Sequence, residues 1–390
     1  MKFPYSRQKI TSTDIKNVNK VLRSNLITQG PVVKKLEQKL KKLFKAKYSI
    51  CVNSATSGLH LACMAIGLKE NDILWTVSNT FVSSANCGRL CGATIDFLDI
   101  NLETYNVDIN ILKKKLILAK FKKKLPKVIV IVHFAGQPVE IEEIFRLSKI
   151  YKFKIIEDAS HALGAKRNKE PIGSCKYSHI AVFSFHPVKI ITTGEGGAVL
   201  TNNKLFHDKI EMLRSHGITR NFKKYINKNK TKDYWYYEQQ FLGFNYRMSD
   251  INAGLGLSQL QRLNSIIKKR QSIAARYDKM LKDLPIFLPK IQDENFSSFH
   301  LYVIRLTDKF VKSYSKIFNY LRKKGITINL HYPPVHQQPY YLNLFKKKLI
   351  LKNSELYSKS SFSIPVYEDL KFADQYYIVK NLKKALSKFI

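Results

Sequence analysis

The 390-residue sequence predicts an α/β protein whose mostly parallel central sheet is sandwiched by helices. The prediction rests on continuous Val- and Ile-rich runs that alternate with helical stretches, because strands buried on both faces read as unbroken apolar segments. Helical stretches separate several of the runs, as at residues 57–68 and 139–152. Seven runs are typical of such strands, namely residues 48–52, 72–77, 94–99, 127–134, 153–158, 179–185 and 197–201.

The pattern changes near Met248, where a smaller C-terminal α/β unit is predicted. Residues 249–281 read as one or two long helices that lead out of the sheet. We therefore predict a large domain over residues 1–260 and a small domain over residues 261–390. Residues 222–240, rich in lysine and tyrosine, are predicted to form a mobile loop. The small unit is expected to contain strands at 301–306 and 326–331, a helix near 312–324 and a closing helix near 371–388.

The chain is strongly basic, with 67 Lys and Arg against 29 Asp and Glu and a net charge of +38. One reading is a nucleic-acid-binding protein. The lysines, however, cluster at residues 34–47, 120–127 and 223–232, which are typical of helix exteriors and loops. They are not interleaved with aromatic residues as in an RNA-stacking platform. We favour a solvated lysine-rich surface with no nucleic-acid partner, which still attracts an anionic small substrate.

The five cysteines form an odd set within apolar stretches, which predicts a reduced, cytoplasmic protein without a disulfide framework. Cys87 and Cys91 lie four residues apart with no second ligand pair nearby, so no metal site is predicted. No apolar run approaches the roughly 20 residues of a membrane span. The N-terminal residues lack the apolar segment of a secretory signal. We expect no membrane partner.

Ligands of such sheets bind beyond the carboxyl ends of the strands, and Lys189 lies in that position. It stands in FSFHPVKIITTGEGGAVLTNN, residues 183–203, where almost nothing else is charged. A lysine near a packed strand end can have a lowered pKa, which makes it a candidate nucleophile or Schiff-base former. The alternative is an ordinary solvated lysine at a helix start.

Asp158 ends the apolar run KFKIIED and is expected to be at least partly buried. One interpretation is that its side chain caps the next helix. The other is an anion held for a cationic partner. Pyridoxal phosphate has such a cation in its ring nitrogen, and its aldehyde requires a lysine. A pair at ~4 Å contributes about 4 kcal/mol in a partly buried site and keeps the ring protonated as an electron sink.

Two further features follow strands. Residues 53–58, NSATSG, combine hydroxyls with a helix N-terminus, which is typical of a phosphate cradle, although Ser and Thr are also common helix caps. Phe81 is placed to stack on a flat ring, although an aromatic residue there is more often part of the core. Together with Lys189 and Asp158 these features indicate a pyridoxal phosphate enzyme.

The chain resembles the DegT-type sugar-nucleotide aminotransferases over essentially its whole length. The resemblance lies in FSFHPVKIITTGEGGAVLTNN, EDASHALGA, NSATSGLHLA, LRSHGITR and GFNYRMSDINAGLGLSQL. It implies the fold-type I architecture of pyridoxal-phosphate-dependent aminotransferases, and a homodimer with active sites shared between subunits. The segments SHGITR, YEQQFLGFNYRMSD, HFAGQPVE and PYSRQ…LITQGP are most similar to members that act in pseudaminic acid biosynthesis. Those members transfer the amino group of L-glutamate to C4 of UDP-2-acetamido-2,6-dideoxy-β-L-arabino-hexos-4-ulose.

The resemblance also implies roles by position. Lys189 looks like the internal-aldimine lysine, which moves the proton while pyridoxamine phosphate forms as an intermediate. Asp158 looks like the partner of the pyridine nitrogen and Phe81 like the stacking ring. His161 lies beside the cofactor ring, where many relatives carry Gln. The phosphate contacts match Ala55, Thr56, Ser184 and, from the other subunit, Asn245. The contacts of the sugar nucleotide match Tyr5, Asn25, Leu26, Ile27, Thr28, His331, Tyr332, Pro333 and Pro334.

Some alternatives stay open. His331 is nearly as well explained as a strand-end histidine of the small domain. Relatives that deoxygenate sugars replace the lysine by histidine, so Lys189 favours amino transfer. The main alternative is an aminotransferase for a different 4-keto or 3-keto nucleotide sugar. A basic regulatory or nucleic-acid-binding protein on the same fold is disfavoured, because Lys189, Asp158 and the Ser- and Thr-rich phosphate cradle are all present.

Overall fold

The computed structural model describes residues 2–227, 233–345 and 349–389. The helices are α1 (Ser12–Leu22), α2 (Pro31–Phe44), α3 (Ala55–Ile66), α4 (Ser83–Arg89), α5 (Ile109–Phe121), α6 (Ile141–Tyr151), α7 (Lys204–Leu213), α8 (Asp250–Gln261), α9 (Leu263–Leu281), α10 (Asp308–Val311), α11 (Tyr314–Lys323), α12 (Pro339–Leu344), α13 (Lys352–Ser360) and α14 (Phe372–Lys388). The strands are β1 (Tyr48–Val52), β2 (Ile73–Val77), β3 (Thr94–Leu98), β4 (Val128–Val132), β5 (Lys154–Asp158), β6 (Lys166–Arg167), β7 (Glu170–Pro171), β8 (Ile180–Ser184), β9 (Gly197–Thr201), β10 (Ile218–Thr219), β11 (Glu238–Gln239), β12 (Ile286–Phe287), β13 (Asn295–Phe296), β14 (Tyr302–Leu306) and β15 (Ser361–Ile364).

The central sheet has the strand order β1-β9-β8-β5-β4-β2-β3. Strands β8, β5, β4, β2 and β3 run parallel to one another, and β9 runs antiparallel to both of its neighbours. The predicted mostly parallel sheet is confirmed. Its strands are the seven apolar runs, five of them shortened at one or both ends. The runs are strands because their Val and Ile side chains fit a pleated surface that is buried on both faces.

Helices cover both faces of this sheet. Ile129 of β4 and Ile155 of β5 pack in one core with residues of α5 and α6. Their sheet neighbours Val130 and Ile156 point the other way, into a core shared with α3 and α4. The alternation follows from the two-residue period of a strand.

Gly58 brings α3 unusually close to the sheet. A Cβ atom at this position would lie 2.9 Å from Val182 Cγ1 and 3.1 Å from Val199 Cγ2. At the first residue of β9, a Cβ on Gly197 would lie 2.8 Å from the backbone nitrogen of Ala55. The two glycines therefore let the N-terminus of α3 stand directly over the carboxyl end of β8.

The C-terminal part has its own antiparallel sheet, in the order β12-β14-β15. Its core combines residues of that sheet with residues of α9, α11 and α14. Residues 249–281 form two helices, α8 and α9, on either side of Arg262. The proposed domain division after residue 260 falls at the end of α8 and stays a prediction.

The predicted strand at residues 326–331 was wrong. Ile326 makes a single bridge with Phe3, and Asn329 makes a single bridge with Ser363. Because the two bridges lie on different partners, no continuous ladder forms. The third strand of the small sheet is instead β15, which sequence analysis missed.

The described parts of the predicted loop, residues 222–227 and 233–240, are joined to each other by hydrogen bonds, and the mobility of the loop stays a prediction. Strands β10 and β11 pair antiparallel and form the stem of a hairpin. The Glu238 carboxylate accepts hydrogen bonds from the backbone nitrogens of Ile226 and Asn227, at 2.7 and 3.1 Å. Residues 228–232 of the predicted loop lie outside the described residues.

All five cysteines lie in the described part of the chain and carry free thiols. Across the described residues, the side chains close enough to share a metal ion are His207, Asp208 and Glu211 of α7, with no cysteine among them. A search of the same residues for a helix long and apolar enough to cross a membrane finds none.

Candidate active site

A cavity of about 440 Å³ opens at the carboxyl ends of the parallel strands. This is the position expected for a ligand site in such a sheet. Ten of the residues singled out from the sequence line it: Tyr5, Ala55, Thr56, Phe81, Asp158, His161, Ser184, Lys189, His331 and Tyr332.

Asp158 is the last residue of β5 and is buried. Its Oδ2 accepts a hydrogen bond from Ser84 Oγ at 2.6 Å, and its Oδ1 accepts one from the backbone nitrogen of Ser160 at 3.1 Å. Residues 159–165 form turns rather than a helix, so the interpretation of Asp158 as a helix cap was wrong. The carboxylate is instead fixed beside the cavity by its two donors.

Ser84 extends this arrangement to a second hydroxyl. Its Oγ lies 2.8 Å from Thr80 Oγ1, and both side chains are buried. Because Ser84 donates its proton to Asp158, the Thr80 hydroxyl is the donor to Ser84. A short chain of hydroxyls thus supports one oxygen of the buried carboxylate.

Lys189 lies in the loop that follows β8, where its backbone nitrogen donates to His186 O at 2.9 Å. Burial lowers the pKa of the Lys189 amine to about 8, and the nearby Asp158 carboxylate opposes part of that shift. A large fraction of the amine is therefore neutral slightly above neutral pH, as a nucleophile or base requires.

The start of α3 forms the anion-binding part of the cavity. Ser54 is the N-cap residue, and its Oγ accepts a hydrogen bond from the backbone nitrogen of Ser57 at 3.1 Å. Within the described residues, the backbone nitrogens of Ala55 and Thr56 have no hydrogen-bond acceptor. Thr56 Oγ1 lies 2.9 Å from Ser83 Oγ. Open N–H groups at a helix N-terminus favour a bound phosphate.

His161 forms a hydrogen-bonded pair with Tyr332. The backbone nitrogen of Ala135 donates to His161 Nδ1 at 3.3 Å, which assigns the ring proton to Nε2. Nε2 therefore donates to Tyr332 Oη, 3.0 Å away. Burial, with the charge of Lys189, holds the pKa of His161 well below its usual value. His161 thus acts as a neutral hydrogen-bond donor.

Phe81 is 55% exposed, so the alternative of a core aromatic residue was wrong. Its ring centroid lies 5.9 Å from that of Tyr332 at the cavity wall. The Tyr332 backbone nitrogen donates to Asn79 Oδ1 at 3.1 Å, which holds this residue against the sheet. Two aromatic rings therefore border the same space.

His331 and Tyr5 form another part of the wall, with ring centroids 4.8 Å apart. His331 Nδ1 lies 2.8 Å from Ser363 Oγ. Burial and the Lys189 charge lower the pKa of His331 to about 3, so the ring is neutral at ordinary pH. Next to Tyr5, Ser6 Oγ donates to Val188 O at 2.8 Å, which links the N-terminal segment to the Lys189 loop.

A sequence profile of the DegT/DnrJ/EryC1/StrS aminotransferase family matches residues 8–383. The chain belongs to this family. It is 38% identical over 387 residues to the UDP-4-amino-4,6-dideoxy-N-acetyl-beta-L-altrosamine transaminase of Campylobacter jejuni, which covers 98% of this chain and 97% of the relative. The fold matches Helicobacter pylori PseC, an aminotransferase of pseudaminic acid biosynthesis, with a TM-score of 0.91, 32% identity and full coverage of both chains.

A second solved structure to which this chain is similar supports the cofactor. The sugar aminotransferase Spr1654 of Streptococcus pneumoniae, in its PLP form, has a TM-score of 0.89, 27% identity and full coverage of both chains. The site described above fits this group. It provides an amine, a buried carboxylate and an open helix N-terminus, which match the aldehyde, ring nitrogen and phosphate of pyridoxal phosphate.

The other residues that the resemblance to the DegT/DnrJ/EryC1/StrS family singled out lie outside the cavity lining. The side chains of Leu26 and Ile27 are exposed, and Thr28 bridges Ser249. Asn245 O accepts a hydrogen bond from Asn53 Nδ2 at 3.4 Å in the same chain. Their roles stay predictions, as do those of the remaining members of the set, Asn25, Pro333 and Pro334.

Sequence analysis missed two residues of the site. Ser84 lies three residues after Phe81 in SNTFVSSAN, and its spacing gave no sign that it contacts Asp158, 74 positions away. The ring of His300 lies 4.4 Å from that of His161, and burial holds the pKa of His300 well below its usual value. A single histidine that precedes a strand in the sequence does not indicate that its ring will lie beside another histidine of the site.

Proposed function

We propose that this protein is a pyridoxal-phosphate-dependent aminotransferase that moves the amino group of L-glutamate to C4 of a UDP-linked 6-deoxy-4-keto-N-acetylhexosamine. The convergence of Lys189, Asp158 and the open start of α3 on one cavity carries the proposal. The names of the Campylobacter and Helicobacter relatives favour the β-L-arabino sugar of pseudaminic acid biosynthesis. A different 4-keto or 3-keto nucleotide sugar is the competing acceptor.

The cavity residues divide the task of holding the cofactor. Lys189 would attach it covalently through Nζ, and Asp158 would pair with the ring nitrogen. Phe81 and His161 would contact the ring. The phosphate would be held by Ser184, the Thr56 side chain and the amides that begin α3. When bound, the cofactor supplies an electron sink for the bond changes at the reacting carbon.

Lys189 then serves as the base. In the first half-reaction its neutral amine would take the proton from Cα of glutamate, and in the second half-reaction its protonated amine would deliver a proton to C4 of the sugar. The lowered pKa of about 8 keeps the amine available for the first transfer. The Asp158 carboxylate would stabilise positive charge at the ring nitrogen.

The opposite wall positions the sugar nucleotide. His161 donates to Tyr332 Oη, so the Tyr332 hydroxyl is left to donate its own proton to a ligand in the cavity. Tyr5 and His331 border the same wall. The net charge of +38 draws the diphosphate of a UDP-sugar toward the protein.

We also propose a cytoplasmic homodimer with shared active sites, in which Asn245 reaches the phosphate of the partner subunit's cofactor. Complementation tests this arrangement. Lys189→Ala and Asn245→Asp chains should each be weakly active, whereas mixed dimers contain one intact site and should regain activity. Failure of co-folded chains to regain activity would show that both residues act in the same subunit's site.

An absorbance titration tests the acceptor. Protein purified with pyridoxal phosphate should absorb in the visible, and glutamate should remove that band. UDP-2-acetamido-2,6-dideoxy-β-L-arabino-hexos-4-ulose should restore it, whereas the D-xylo epimer should not. Restoration by the D-xylo sugar alone would move the enzyme to another pathway. Folded protein without the visible band would remove Lys189 from its assigned role.

The pKa of Lys189 predicts how fast the apoprotein takes up pyridoxal phosphate. Only the neutral amine attacks the aldehyde, so the uptake rate should rise with pH and level off above about 8. At pH 7 the rate should be about tenfold below the plateau, since each pH unit below the pKa lowers the neutral fraction about tenfold. The growth of visible absorbance after mixing measures this rate. A rise that begins only near pH 10 would indicate an ordinary, solvated lysine.

Ser84→Ala should weaken the support of Asp158. A hydrogen bond to a charged group contributes about 1.5–3 kcal/mol, so cofactor dissociation should become roughly 10- to 100-fold easier. Equilibrium dialysis of pyridoxal phosphate measures the effect independently of turnover. Ser84→Thr should retain most of the affinity because it keeps the hydroxyl. Ser148→Ala is the matched control, because Ser148 is a buried helix serine outside the cavity lining whose Oγ donates to Phe145 O. An equal loss in both alanine variants would contradict a specific contact with Asp158.

A further inference from the structure

Helix α5 has two apolar faces. Leu112, Leu116 and Ala119 pack against the sheet, as expected for a surface helix. Ile117, Leu118 and Phe121 point to solvent, with exposed fractions of 60%, 59% and 86%. These three follow the three- and four-residue spacing of one helix face, so they form a continuous apolar stripe. We call Ile117, Leu118 and Phe121 the α5 stripe.

Lysines surround the α5 stripe. The sequence has no acidic residue between Asp108 and Glu140. Lys113 and Lys115 form ion pairs with Glu143 and Asp96, both at 2.7 Å. Across the described residues, no ion pair is found for the exposed lysines of this region, which are Lys114, Lys120, Lys122, Lys123 and Lys124.

Helix α6 adds to the same surface. The Lys113–Glu143 ion pair joins the first turns of α5 and α6, and the two helices run in the same direction because each follows one parallel strand and precedes the next. Their C-terminal ends therefore lie at the same edge of the sheet. At that end α6 exposes Ile150, with Lys149 and Lys152 beside it.

The C-terminal ends of α5 and α6 lie at the end of the sheet opposite the cavity. Beyond α5, the backbone nitrogen of Lys127 donates to Ile73 O at 2.8 Å, at the first residue of β2. The stripe therefore ends at the amino ends of the strands, whereas the cavity opens at their carboxyl ends. A partner bound here leaves the mouth of the cavity free.

We propose that the α5 stripe and its lysines bind the surface of an anionic lipid bilayer. Large apolar side chains ringed by lysines suit the interface between headgroups and acyl chains. A second copy of this chain is the less suitable occupant, because the two lysine clusters would repel each other at a net charge of +38 per chain. Sequence analysis expected no membrane partner, and this association is peripheral rather than spanning.

Vesicle flotation tests the proposal with the intact holoenzyme. The protein should float with phosphatidylcholine vesicles that contain about one third phosphatidylglycerol, and not with pure phosphatidylcholine. The triple variant Lys122→Gln, Lys123→Gln, Lys124→Gln should bind about 100-fold more weakly, since each lysine near an anionic surface contributes roughly a fivefold factor. Phe121→Ser should also bind at least about tenfold more weakly, because its buried apolar area is lost.

Matched variants separate the stripe from the general charge of the protein. The triple variant Lys34→Gln, Lys35→Gln, Lys39→Gln removes the same charge from exposed positions of α2. Leu205→Ser removes a side chain of α7 that is 77% exposed. Both should bind like wild type, and all variants should keep amino-transfer activity. An equal loss of vesicle binding in the two triple lysine variants would overturn the proposal, and so would unchanged binding of Phe121→Ser. A smaller oligomer of Phe121→Ser in sedimentation would also overturn it, because the stripe would then be a contact between copies of the chain.

Discussion

Lys189→Ala is expected to lower turnover by roughly 10²- to 10⁴-fold, the usual contribution of a general base. In the proposed mechanism, the variant loses both the amine that would attach the cofactor and the group that would move the proton. It should still bind pyridoxal phosphate through Asp158 and the start of α3, but without the visible band of the attached form. Single-turnover measurements with glutamate separate the chemical step from binding.

The control for this variant is Lys39→Ala, which changes an exposed lysine of α2 that does not line the cavity. It should match wild type in turnover and absorbance. Because the Lys189 side chain lines the cavity rather than the hydrophobic core, its truncation should leave the fold intact, which thermal unfolding can check. Substantial turnover in folded Lys189→Ala would remove this residue from the mechanism.

Asp158→Asn is expected to lower turnover by up to about 1,000-fold. The change removes the charge that would face the ring nitrogen, a pair of about 4 kcal/mol at ~4 Å, and each 1.36 kcal/mol is a factor of ten in rate. The amide keeps an oxygen for Ser84 or Ser160, so folding should change little. Turnover and cofactor dissociation should both be measured.

The pH dependence adds a readout for the same variant. In wild type, the Asp158 charge partly opposes the lowering of the Lys189 pKa. Without that charge the pKa should fall further, and uptake of pyridoxal phosphate should reach its plateau at lower pH. Unchanged turnover, affinity and uptake profile would mean that the carboxylate serves only to hold Ser84 and Ser160.

The central sheet and the core of the site were predictable because their signals are local. Each strand is a run of apolar residues, and Asp158 ends one of those runs while Lys189 follows another. Parallel strands bring such positions to one edge regardless of their separation in the sequence. The parallel sheet alone therefore predicts that the two residues lie close together, whatever the conformation of the loops.

The contacts that sequence analysis missed depend on pairs distant in the chain. The Ser84–Asp158 hydrogen bond joins α4 to β5, and nothing in either segment marks the other. Residues 326–331 alternate like a strand, yet the backbone groups that bridge this segment belong to Phe3 and Ser363. Strand propensity depends on the residues of the segment itself, whereas strand pairing also depends on the backbone that lies beside the segment.

The cavity wall that His331 and Tyr332 form is built differently from the part of the cavity that Lys189 and Asp158 form. Asp158 ends a strand of the central sheet and Lys189 follows another, whereas Tyr332 is held by single hydrogen bonds to Asn79 and His161. Substitutions in this irregular segment leave the strand ladders untouched. A lineage with this architecture can thus exchange one acceptor sugar for another while inheriting its amino-transfer machinery unchanged.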